Sequence, residues 1–162
     1  MDPHCPPEIP PDPGRGFRGE DPDLERARCL CGSGRPVEAE RLCRSVLATN
    51  PEIARGWNCL GSSLREQGRL EEACRSYRTA LGLRPDYPEA LNNMGNVLLE
   101  LMRPQAALAA FDEALQLNPD YPLALRNRAM VLLALGRPEE ALASCREALQ
   151  RDPADREAHI LM

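Results

Sequence analysis

Four prolines, Pro51, Pro85, Pro119 and Pro153, stand 34 residues apart and set the frame for everything else in this 162-residue chain. From Pro85 the chain runs through a turn, Arg84-Pro85-Asp86-Tyr87-Pro88, then two helical patterns. A near copy of the turn follows, Asn118-Pro119-Asp120-Tyr121-Pro122. Self-similarity at this period predicts a helical solenoid. One helix pair cannot bury its apolar face alone, so neighbouring pairs must stack to make a continuous core.

Residues 1–19 carry Pro3, Pro6, Pro7, Pro10, Pro11 and Pro13 with Gly14, Gly16 and Gly19, and show neither helical nor strand period. Such a segment cannot bury enough apolar surface to offset its chain entropy and is expected to be a disordered tail. Polyproline II character around Pro6-Pro7 and Pro10-Pro11 makes a ligand for a proline-recognising domain the alternative. Helical signals begin at Asp21-Pro22, a cap residue followed by a proline suited to the first turn. Leu24, Ala27, Leu30 and Cys31 share one face, and Gly32-Ser33-Gly34 ends that helix. Pro36 opens a second helix carrying Ala39, Leu42, Cys43, Val46 and Leu47, closed at Asn50-Pro51.

The next unit pairs Trp57, Leu60, Gly61 and Leu64 with Leu70, Ala73, Tyr77, Ala80 and Leu81 across Gly68, a position expected to be a left-handed C-cap. The third repeats the scheme with Leu91, Met94-Gly95, Leu98, Ala107, Phe111 and Ala114-Leu115. It has Met102 where the second has Gly68 and the fourth Gly136, a replacement that costs about 1 kcal/mol if the position is left-handed. The fourth carries Leu125, Ala129, Leu132, Ala141, Cys145 and Ala148-Leu149, with Arg128 where Leu60 and Met94 stood. Its first helix should therefore pack less well, or the arginine stem should snorkel. Residues 154–162 restart a helix with Ala158, Ile160 and Leu161, expected to dock on the fourth unit as a cap or as part of a fifth.

Trp57, Leu60-Gly61, Leu64, Ala73, Tyr77 and Pro85 together resemble the tetratricopeptide repeat (TPR) pattern, W-x₂-L-G-x₂-Y…A-x₃-F…P, with Leu64 in place of the first tyrosine. The resemblance covers about residues 20 to 155. It implies an all-α, right-handed α-solenoid of antiparallel helix pairs, with repeats 20–53, 54–87, 88–121 and 122–155 and a partial fifth or capping helix at 156–162.

Composition narrows the function classes. A formal net charge of −5 argues against general nucleic-acid binding. All 20 basic residues are arginine, which we read as the mark of a GC-rich genome. There is no apolar run of membrane-spanning length and no secretory leader pattern. The seven cysteines fall mostly within helical patterns, as expected for reduced thiols in a cytoplasmic protein. His4 and His159 are the only histidines, and Cys29-x-Cys31 lacks a matching second pair, so neither a metal site nor a cofactor is expected. Glu71-Glu72 and Glu139-Glu140 open second helices, where carboxylates complement the helix dipole. No nucleophile has an evident base partner, and the expectation is a non-catalytic chain.

The resemblance implies that first helices line a concave face along which a protein or peptide partner lies. Stepping by 34 residues gives its rows: Asn58, Asn92 and Arg126; Cys59, Asn93 and Asn127; Ser62, Asn96 and Met130. Arg55 and Arg65 lie toward one end, Leu99 and Leu133 toward the other. An asparagine amide offers both a donor and an acceptor to a peptide backbone. We read Asn58, Asn92 and Asn96 as binding residues, with Ser62, Arg65, Arg126 and Met130 beside them. Asn93 and Asn127 have two equal readings, as ligands and as braces between helices. Some TPR proteins hold a terminal carboxylate with Lys and Asn; with no Lys and only Arg126 in that row, the chain departs from such a clamp.

The stretches Arg35-x-x-Glu38-Ala39-Glu40-Arg41-Leu42, Asn92-Asn93-Met94-Gly95-Asn96 and Gly136-Arg137-Pro138-Glu139-Glu140-Ala141 also look like bacterial repeats that precede O-GlcNAc-transferase-like domains. Two functional readings therefore stand, an interaction scaffold and the substrate-recognition arm of a glycosyltransferase. Weak self-association through solenoid ends is a third possibility.

Overall fold

The computed structural model describes residues 21–161, and the expectation for residues 1–19 lies outside them. All regular structure among the described residues is helical: α1 (Pro22–Gly32), α2 (Pro36–Thr49), α3 (Ala54–Glu66), α4 (Leu70–Leu83), α5 (Pro88–Glu100), α6 (Pro104–Leu117), α7 (Pro122–Ala134), α8 (Pro138–Arg151) and α9 (Arg156–Ile160). The chain forms two compact units, one ending at Leu83 and the other beginning at Arg84.

Local chemistry sets the boundaries. Proline occupies the first turn of α1, α2, α5, α6, α7 and α8, where its missing N–H would have no intrahelical partner. The turn within each pair is closed by a residue with positive φ, again at 34-residue spacing: Gly34, Gly68, Met102 and Gly136. At each, the following amide reaches back to a carbonyl of the last helical turn, as Arg103 does to Leu98 at 2.8 Å. Met102 thus adopts the left-handed conformation its register predicts, at φ 57°, with its side chain 86% exposed. Since the side chain gains little packing there, Met102→Gly should raise stability by about 0.5–1 kcal/mol in chemical denaturation.

In the first unit, α1 packs on α2 and on α3, α2 on α3, and α3 on α4. A Cβ added to Gly61 would sit 2.7 Å from the ring of Tyr77, so the glycine lets the ring lie against the α3 backbone. The register equivalents in the preceding pair are Ala27 and Cys43, both fully buried. A one-carbon increase on one helix there accompanies a much smaller side chain on the other. Trp57 does not fill the core: it is half-buried and donates from Nε1 to the carbonyl of Pro51 at 2.7 Å.

Glu40 knits the first pair to the second. Its carboxylate accepts from Arg44 at 2.9 Å, from Gln67 at 2.8 Å and from Arg69 at 2.8 and 2.9 Å. Arg69 also holds Glu72, and Arg137 holds Glu140, so these helix-opening carboxylates are structural ion pairs.

In the second unit, α5 packs on α6 and α7, α6 on α7, α7 on α8, and α8 on α9. Gly95 receives the ring of Phe111, with only 2.6 Å from a hypothetical Cβ to the ring. The next pair carries Ala129 and Cys145 at these positions, the combination seen at Ala27 and Cys43. Arg128 is accommodated by polar contacts, its guanidinium donating to Asp112 at 2.6 Å and to the Ser144 hydroxyl at 2.5 Å. The short α9 docks through Ala158, clustered with Leu125 and Ala148, while Ile160 is 81% exposed. Asp155 caps α9 by accepting from the amides of Glu157 and Ala158, each at 3.0 Å.

Candidate functional site

The α5–α7 pairing in the second unit brings Asn92 and Asn127 together. Asn127 Nδ2 donates to Asn92 Oδ1 at 2.9 Å, and the two side chains are 3% and 1% exposed. For Asn127 this is the bracing reading. For Asn92, expected to contact a partner, the position is inside the helix packing. Removing Asn92 leaves the Asn127 amide buried without its acceptor, so Asn92→Ala should cost about 1–3 kcal/mol of stability by denaturant titration.

Asn93 and Asn96 on α5 are half-buried. On α7, Met130 and Leu133 are each 39% exposed. These three- and four-residue spacings put Asn92 and Asn96 on neighbouring turns of one helix and Met130 and Leu133 on neighbouring turns of the other. The buried amide bond fixes two helices that offer amide groups and apolar side chains next to it.

Arg126 is drawn toward α9. It lies 3.3 Å from both Asp155 oxygens and 3.1 Å from Glu157. Burial pushes the Asp155 carboxyl up, but the Ala158 and Glu157 amides and Arg126 outweigh that and hold it below its ordinary range. The arginine's charge is thereby committed to the chain's own carboxylates.

The remaining expected residues, Asn58, Ser62 and Arg65, lie on α3 in the first unit. Ser62 Oγ donates to the Asn58 carbonyl at 3.2 Å and meets the Tyr77 hydroxyl at 3.1 Å, so it is occupied within the helix pair. Asn58 and Arg65 are half-buried, and Arg65 lies 4.0 Å from Glu66. Among the described residues, no group of three His, Cys, Asp or Glu is placed to hold a metal ion, and no helix is long and apolar enough to cross a membrane.

The Glu40 junction has no place in the sequence reading. Its signal was available: the same register position holds Cys74, Leu108 and Leu142, so a carboxylate there is out of pattern.

Two family models match the chain, one described as "Tetratricopeptide repeat" over residues 92–156 and one as "TPR repeat" over residues 61–101. This is a tetratricopeptide-repeat protein. Solved TPR structures agree with the assignment. A thermophilic TPR protein of Thermus thermophilus, TTC0263, is similar at 25% identity with a TM-score of 0.76, over 86% of this chain and 77% of the other. YrrB, described as a TPR protein with an unusual peptide-binding site, is similar at 22% identity and TM-score 0.70, over 86% and 72%. The first TPR of Spaghetti (RPAP3), bound to the HSP90 peptide SRMEEVD, is similar at 25% identity and TM-score 0.66, over 67% and 86%. No curated protein sequence matches the TPR chain. The finer likeness to repeats that precede glycosyltransferase domains has no counterpart among the relatives named here.

Proposed function

We propose that this TPR protein is a protein-interaction scaffold whose α5–α7 face takes an extended peptide. The observation that carries the reading is the buried Asn92–Asn127 bond, which locks two helices while Asn96, Met130 and Leu133 stay partly open to solvent. Asn96, with Asn93, supplies amides for a peptide backbone, and Met130 and Leu133 supply apolar contact. A methionine adapts to varied side chains, which suits recognition of an extended segment. With Arg126 held by Asp155 and Glu157, a terminal carboxylate is not the anchor; an uncharged or apolar stretch fits better. The peptide complexes and sites named for YrrB and the Spaghetti repeat support the class of partner.

The test begins with a phage-displayed library of unstructured peptides selected on the full chain. The tightest peptide is then titrated calorimetrically. The double substitution Asn96→Ala with Met130→Glu should weaken binding by about tenfold or more, equivalent to about 1.4 kcal/mol. Val37→Glu, at an exposed position on α2, should leave binding unchanged. Equal affinity for the wild type and the α5–α7 double variant would remove the assignment.

A further inference from the structure

In the first unit a groove lies between α2 and α4, with α3 packed on both beneath it. Leu60 and Leu64 of α3 form its floor, and the half-buried indole of Trp57 stands with them. Arg44 of α2 and Arg75 and Thr79 of α4 line it from the flanking helices. The volume is about 150 Å³, room for one aliphatic or aromatic side chain. None of these residues belongs to the α5–α7 face.

The carboxylates at the groove are already matched. Glu72, on its α4 wall, is held at both oxygens by Arg69, each at 2.7 Å. Glu40 accepts from Arg44, Gln67 and Arg69 together. Arg44 still leaves 53% of its side chain exposed. Arg75 is exposed, and among the described residues its guanidinium makes no hydrogen bond or ion pair. Glu71, exposed one turn before Arg75 on α4, lessens the positive field there. Two repeats further on, in the second unit, the frame carries Asp112 for Arg44, Leu125 for Trp57, Ala143 for Arg75 and Glu147 for Thr79. A basic rim beside an aromatic is therefore a property of this groove and not of the repeat.

We propose that this groove docks an acidic peptide segment of a partner protein. One apolar side chain sits over Leu60 and Leu64 beside Trp57, and carboxylates of the segment pair with Arg75 and Arg44. The charge is complementary, and a guanidinium fork takes a carboxylate through two parallel hydrogen bonds. Arg75 supplies the stronger contact, because Arg44 shares its charge with Glu40. The indole adds a large, rigid contact area of the kind that carries binding energy at interfaces. The segment differs in chemistry from the uncharged stretch assigned to the α5–α7 face, so the two sites stand or fall independently.

Trp57 is the chain's only tryptophan, so its fluorescence reports occupancy of the groove directly. A displayed library of tryptophan-free peptides with Asp or Glu at alternate positions is selected on the full-length chain. The same library with Lys at those positions is the control. The tightest acidic peptide, made with blocked termini, is then titrated. It should shift Trp57 emission and bind more weakly as salt rises. Arg75→Glu, at an exposed position that leaves the fold intact, should weaken it by about tenfold or more. Asn96→Ala with Met130→Glu should leave its affinity unchanged, which separates this site from the α5–α7 face. An acidic library that yields nothing tighter than the lysine library, binding without a change at Trp57, or equal affinity for the wild type and Arg75→Glu would overturn the proposal. So would tighter binding of an oligouridine than of the acidic peptide, which would make base stacking on Trp57 the use of the groove.

Discussion

Phe111→Ala should cost about 3–5 kcal/mol and should also reverse the sign of a second substitution, Gly95→Ala. Phe111 is fully buried with its ring against the α5 backbone at Gly95. In the wild-type background, Ala at 95 gains about 1 kcal/mol in helix propensity but must push the ring away, an overpacking cost of about 1–3 kcal/mol. With the ring gone, only the gain remains, and the methyl group fills part of the vacated space. The propensity gain is common to both backgrounds, so the double-mutant cycle should show a favourable coupling of about 1–3 kcal/mol, the overpacking cost. Urea titrations of the four proteins measure it. Gly82, on an exposed turn of α4 with nothing near its Cβ position, is the control: Gly82→Ala should be neutral to stabilising. If Gly95→Ala costs the same with and without the ring, glycine–ring packing is not what sets the α5–α6 spacing.

Glu40→Ala is the second large effect, expected at about 2–3 kcal/mol because it strips the shared acceptor from Arg44, Gln67 and Arg69 at once. The interaction also predicts a pH dependence. Burial raises the Glu40 carboxyl, but the hydrogen bonds from Gln67, Arg44 and Arg69 and the charge of Arg69 outweigh it, so the group ends below its ordinary value near 4.5. A carboxyl depressed on folding contributes fully above its unfolded value and loses that contribution as pH falls through the folded one. Stability should therefore fall as pH drops below the ordinary value near 4.5, and Glu40→Gln should flatten part of that fall. A variant with an unchanged acid limb would remove Glu40 from the account of how the first two helix pairs are joined.

The contrast between these two sites shows what a sequence of this kind discloses. The proline and glycine register carries the fold class because turn chemistry is local: a left-handed cap or an N-terminal proline is decided within a few residues. Met102 is legible for that reason, even though the residue type argues against its conformation. Gly61 and Gly95 can be read as close-contact positions because their ring partners, Tyr77 and Phe111, fall at one repeated spacing on the second helix of the same pair. Asn92 could not be placed in the same way. An asparagine serves equally well as a peptide ligand or as a brace, and what separates the two is burial, fixed by how closely α7 approaches α5. Trp57 resembles a packing residue by type, yet its indole settles at the edge, where a carbonyl accepts its N–H.

The functional claim is that a peptide lies on the α5–α7 face, and two methionines make it directly measurable. Met130 stands on that face, while Met102 projects from the turn between α5 and α6. With methyl-labelled methionine, addition of the library-selected peptide should shift the Met130 signal and leave Met102 unmoved. A shift at Met102 with Met130 unchanged would contradict the account.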